Sequence, residues 1–201
     1  MSHNIVAIDG INGEYVRECT KFVESVFNSQ EIEVTTFRFP NYDTPTGKLI
    51  RRYLDEEIEL EPFVGHTIFA LNRFEQKNKI LQSSSSDEDQ VAIIDRYWNS
   101  GYCYAQASGL TDFEMSTLQN IDMNLPFPNC MLIVDSEPNP KKKNRLEKDL
   151  KFLRKVRANF KNSARVYDWN TIERFEYKIP GQANLKKILK THFPTLLNSL
   201  E

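Results

Sequence analysis

The sequence predicts an α/β protein, a parallel sheet covered by helices on both faces. Three observations predict it. Short apolar runs recur along the chain at strand length. Segments with apolar residues at helical spacing separate them. The 201 residues, 40% apolar and 27% charged, suffice for one globular domain (1–201) with a full core.

The elements follow in order. NIVAID (4–9) reads as a buried strand. VRECTKFVESVF (16–27) sets Val16, Phe22, Val23, Val26 and Phe27 mostly on one helical face. EVTTFRF (33–39) is a second strand, closed by Pro40. TGKLIRRYL (46–54) reads as a helix capped by Thr46, and PFVGHTIFALNRFEQKNKIL (62–81) as a longer one. SSSSDEDQ (83–90) is a polar, acidic surface loop. VAIID (91–95) and CMLIVD (130–135) are strands. NRLEKDLKFLRKVRANF (144–160) places Leu146, Leu150, Leu153 and Val156 on one stripe of a basic amphipathic helix. ARVYDW (164–169) is a short last strand, and ANLKKILKTHFPTLLNSL closes the chain in helix.

Composition excludes several classes. No apolar run approaches the roughly 18 residues of a membrane span, and MSHNIVAIDG lacks the basic flank and apolar stretch of a secretory signal. Cys19, Cys103 and Cys130 form no metal spacing, and His3, His66 and His192 are scattered, so no metal site is expected. An odd cysteine count without a signal fits a reducing, cytoplasmic setting.

The net charge of −2 hides an asymmetry. Residues 141–165 hold 11 Lys/Arg against 2 acids, a local charge of +9, which leaves −11 for the rest. Lys141, Lys142, Lys143, Arg145, Lys148, Lys151, Arg154, Lys155, Arg157 and Lys161, with Phe152 and Phe160 interleaved, form a candidate polyanion surface. The partner such a surface suits is RNA or a ribonucleoprotein such as the ribosome. The alternative is a solvated amphipathic face.

IDGINGEYVREC (8–19) stands where a strand opens through a glycine turn into a helix. A phosphate-binding loop reads G-x-x-x-x-G-K-[ST]. With Gly10 as its first glycine, Asn12 and Gly13 fall inside the turn. Tyr15 stands at the second glycine, Val16 replaces the lysine and Arg17 replaces the hydroxyl residue. Gly47-Lys48 is the first Gly-Lys in the chain, and it belongs to a later helix.

Further motifs follow in order: RFPNYDTPTGKLIRRYL after the second strand, NRFE on a helix, DRYWNSGYCYA after the third strand and LPFPN before the fourth. Over about residues 4–160 this ordered set resembles the thymidylate kinases, a branch of the P-loop nucleoside monophosphate kinases. The resemblance implies a three-layer α/β/α P-loop kinase fold, with a five-stranded parallel sheet, a lid at about 136–148 and ligands beyond the carboxyl ends of the strands. It implies roles for Phe69, stacked on a thymine base, and Arg73, hydrogen-bonded to it. It implies further that Asp95 would lie near magnesium and the transferring phosphate, that Arg96 would grip the acceptor phosphate, and that Ser100, Gly101 and Tyr104 would continue that pocket. Two departures stand out. Tyr42 replaces an arginine that would grip the acceptor phosphate, and a tyrosine offers no bidentate cationic fork. The loop at 10–17 is degenerate. Arg145 and Glu147 resemble the remnants of a lid element.

Three readings follow. One is a pseudoenzyme, with Asp95 and Arg96 vestigial, no cofactor, and an RNA or ribonucleoprotein contact in place of catalysis. Another is an active kinase that makes dTDP from dTMP and ATP with magnesium, through a loop rebuilt on Arg17, Lys141 or Lys142. The third binds dTMP or another nucleotide without turning it over. The resemblance also implies a homodimer. The alternative for the pocket residues is structural, with Phe69 and Tyr104 as core aromatics and Arg73 and Arg96 paired with acids.

Overall fold

The computed structural model describes residues 3–85, 89–139, 144–173 and 179–200. Strand β1 (Ile5–Gly10) runs through the middle of a sheet. On one side lies β3 (Gln90–Asp95) and beyond it β2 (Glu33–Arg38). On the other lie β4 (Cys130–Asp135) and β5 (Asn170–Glu173), giving the order β2-β3-β1-β4-β5 with every pairing parallel.

The period of two along a strand divides the core. Val6 and Ile8 of β1 join Val91, Ile93, Leu132 and Val134 on one face, under α1 (Gly13–Asn28) and α8 (Ile179–His192). Ile5 and Ala7 join Ala92, Ile94, Met131 and Ile133 on the other, under α5 (Trp98–Ala107) and α7 (Leu150–Val166). Helix α1 buries Val16, Val23, Val26 and Phe27 of the expected stripe; Cys19 is buried with them and Phe22 is only half-buried. Helices α2 (Pro45–Leu54) and α3 (Pro62–Phe74) pack together beyond the carboxyl edge of the sheet, and α6 (Asp112–Asp122) leans on α3. Among the described residues no helix is long and apolar enough to cross a membrane.

Several boundaries differ from expectation. The cap of α2 is Thr44, whose side chain accepts from the Gly47 N–H at 3.1 Å, while the Thr46 hydroxyl donates to Glu75 at 2.7 Å. The helix expected over 62–81 is two, α3 and α4 (Lys77–Gln82). Residues 144–148 are not helical. The Arg145 N–H bonds the Leu54 carbonyl at 3.0 Å, which ties this stretch to α2, and Asp149 caps α7 instead. Ala164–Val166 continue α7, and the last strand begins only at Asn170. Ser84 in the polar loop is fully buried and bonds the Ile80 carbonyl at 2.7 Å.

Candidate functional site

Strands β1, β2 and β3 end together at Gly10, Arg38 and Asp95, where the strand order reverses around β1. Open parallel sheets bind ligands at such an edge. A cavity of about 200 Å³ opens there. Phe69, Arg73, Asp95, Arg96, Ser100, Gly101 and Tyr104 all line it, joined by Arg17, Arg38, Tyr42, His66 and Glu147.

The outer wall is the loop between β2 and α2, and it is firmly held. Asn72 on α3 is fully buried; its Oδ1 accepts from the Asn41 N–H at 2.8 Å and its Nδ2 donates to the Thr44 hydroxyl at 2.8 Å. Gly47 makes the packing possible, because a Cβ there would stand 1.7 Å from the Asn41 carbonyl oxygen. Tyr42 faces the cavity with the Arg51 guanidinium 4.0 Å over its ring, and burial pushes its hydroxyl pKa up.

The inner wall is α3 against α5. Arg73 is 4% exposed and forms a bidentate pair with Asp122, at 2.9 and 2.7 Å. Gly101 leaves room for that guanidinium, since a Cβ there would lie 2.7 Å from it. Ser100 turns its hydroxyl to Asp9, which also accepts from the Tyr97 N–H at 2.9 Å. Asp9 is fully buried behind the cavity, and its Oδ2 meets no partner among the described residues. Burial raises its pKa, outweighing those hydrogen bonds and the charges of Arg96 and Arg73. His66 shares a 2.8 Å hydrogen bond with Ser108, and burial, aided by the Arg73 charge, pushes its pKa down to about 4. The ring is therefore neutral at physiological pH.

Asp95 is paired with Arg38 at 2.7 Å. Arg96 adopts a left-handed backbone (φ 68°), with its N–H on the Ile8 carbonyl at 2.8 Å. Its side chain donates to the Ile11 carbonyl at 3.1 Å and faces Glu147 at 3.8 Å. Burial lowers the Arg96 pKa, but Tyr104, Glu147 and Asp95 outweigh it and raise the net value. Arg73 and Arg96 thus both pair with acids and both line the cavity.

The entrance at 10–17 has its own geometry. Helix α1 begins at Gly13, so five of the eight loop positions are helical. Only Ile11 and Asn12 separate it from β1. Asn12 caps the helix by accepting from the Glu14 N–H at 3.0 Å. Val16 is fully buried, within reach of Gly10. Tyr15 packs against the core, and Arg17 points to the cavity from the same helix.

The basic segment does not form one continuous charged face. Arg145 pairs with Glu59 at 2.6 Å and lies over the Tyr53 ring, and Lys148 pairs with Glu56. Arg157 pairs with Asp135 at 2.6 Å and with Glu137, and Lys161 reaches Asp135 at 3.3 Å. Phe160 is core and Phe152 is half-buried against Tyr104, so neither is an exposed stacking ring. Lys151, Arg154 and Lys155 remain exposed, while Lys141, Lys142 and Lys143 lie outside the described residues. Among the described residues no group of three His, Cys, Asp or Glu side chains could hold a metal.

Sequence reading missed Arg38, His66 and Asn144 as lining residues. Arg38 had a usable signal: a cation ending a strand at the ligand-binding edge. His66 and Asn144 had none, because the distant elements that surround them are assembled only by the fold.

Comparison with known proteins agrees with this geometry. The family description Thymidylate kinase matches residues 8–177. The chain is 27% identical to a thymidylate kinase of Danio rerio over 136 residues, covering 67% of this chain and 62% of that protein. It is 34% identical to one of Caenorhabditis elegans over 100 residues, 50% of this chain and 44% of that protein. The one from Dictyostelium discoideum is 28% identical over 153 residues, 73% and 66%. The chain thus spans about half to two thirds of the length of these relatives. The solved thymidylate kinase of Candida albicans superposes with a TM-score of 0.71 at 23% identity, over 95% of this chain and 93% of that one, which shows a shared fold. With the fold, the ordered motifs and the family match in agreement, this chain belongs to the thymidylate kinase family.

Proposed function

We propose that this chain holds a nucleoside monophosphate of the dTMP type in the cavity and has given up phosphoryl transfer. One observation carries the reading: the seven residues expected for an acceptor pocket line a single cavity, while the neighbouring loop is taken up by α1. Phe69 offers a ring face to a base, Arg73 a fixed guanidinium beneath it, and Arg96 a cation for the phosphate.

Magnesium and ATP, implied by the family, do not fit the residues at 10–17. Position 16 is a fully buried valine, position 17 has no metal-binding hydroxyl, and the Glu14 N–H is already bonded to Asn12. Loss of such charge stabilisation lowers phosphoryl transfer by about a thousandfold or more. Calorimetric titration with dTMP and ATP, beside a coupled assay, tests the reading. It expects dTMP to bind, ATP not to bind, and turnover at least about a thousandfold below a thymidylate kinase measured in parallel. ATP binding with turnover in that enzyme's range would replace it with the second reading, an active kinase making dTDP. The four arginines of the cavity and the family match favour that alternative. A polyanion contact rests on Lys151, Arg154 and Lys155 and is less well supported, because Arg145, Lys148, Arg157 and Lys161 are paired within the chain. A homodimer has support in Val64, Leu71 and Phe74, apolar side chains exposed along α3.

A further inference from the structure

Four guanidiniums line the cavity, and three are answered by carboxylates: Arg38 by Asp95, Arg73 by Asp122 and Arg96 by Glu147. Arg17 is the fourth. It is half-buried, and no carboxylate lies within ion-pair distance of it among the described residues. A cation drawn partly out of water without a counter-charge is a poor choice for stability unless an anion visits it.

The position of Arg17 follows from α1. Gly13 and Arg17 are four residues apart and share a helix face. A Cβ at Gly13 would lie 3.2 Å from the Arg96 guanidinium, so Arg96 packs on that same face. Arg17 and Arg96 therefore border one end of the cavity. The Glu147 carboxylate also lines it, and its 3.8 Å separation from Arg96 is loose enough to yield to a stronger acceptor. The outer wall presents the neutral Tyr42.

We propose that Arg17 and Arg96 together form the phosphate end of the pocket, and that Arg17 is the residue that distinguishes a 5′-phosphorylated nucleoside from the free nucleoside. This rests on the pocket reading above. Two guanidinium forks match the oxygens of one phosphate group. Helix α1 thus contributes a side chain to the ligand, where a phosphate loop would contribute backbone N–H groups.

Titration of the full chain with thymidine and with dTMP tests it. Arg17→Ala should weaken dTMP binding about 10- to 100-fold and leave thymidine within about twofold, so thymidine also reports that the variant is folded. Arg17→Lys keeps the charge without the fork and should lose less than Arg17→Ala. An unchanged ratio of dTMP to thymidine affinity in Arg17→Ala overturns the assignment while leaving the pocket reading intact. If neither compound binds the unaltered chain, the pocket reading fails as well, so the two failures are distinguishable.

Discussion

The two sides of the carboxyl edge were built differently. On one side, α2, α3 and α5 hold a cavity open with buried polar groups, among them Asn72, Arg73 and His66, each of which has a partner. On the side of β1, Ile11 and Asn12 join the strand directly to a capped helix. Side chains on separate elements build the first, and changes in one do not remove the others. Backbone groups build the second, where the Glu14 N–H is already bonded to the Asn12 side chain. A cavity made of side chains thus adjoins a junction made of backbone.

The sharpest way to break this contrast is Val16→Lys, which puts a lysine where the phosphate-loop pattern has one. If the junction is a packed helix, the charge enters the core and should cost roughly 4–5 kcal/mol in urea unfolding. A stable variant that binds ATP would show instead that the loop opens readily. Gly47→Ala probes the other side. The added methyl would stand 1.7 Å from the Asn41 carbonyl oxygen. We expect a loss of about 3 kcal/mol and weaker dTMP binding, because the outer wall must shift. The third test is a pH effect centred on His66. Below about pH 6.5 the unfolded chain protonates this ring while the folded chain does not, so stability falls with pH until the folded ring also titrates near 4. The loss should approach about 3 kcal/mol over that interval. Unfolding midpoints of His66→Gln should be flatter over the same range; an equal slope would assign the pH dependence to other groups.

Much of the fold was legible because buried parallel strands announce themselves. NIVAID, VAIID and CMLIVD are short, β-branched and bounded, and each became a strand within a residue of its expected ends. ARVYDW misled because a few apolar and aromatic residues fit either period; Ala164 packs in the core as the end of α7. The pocket side chains were legible through family motifs, but their partners were not. Asp122, 49 residues from Arg73, and Glu59, 86 from Arg145, are surface acids in sequence and fixed counter-charges in space. The +9 segment shows the same limit: a charge count does not reveal that Glu56, Glu59, Asp135 and Glu137 fold against it.

The Arg96 side chain touches both halves of the edge, donating to the Ile11 carbonyl and facing Glu147, and its backbone sits at φ 68°. For a residue with a Cβ that conformation costs about 1–2 kcal/mol relative to right-handed helix. A chain shaped for durability alone would carry glycine there. On the proposed phosphate role of Arg96, stability and ligand recognition pull this position in opposite directions, and selection for heat resistance without the ligand present should erode it early.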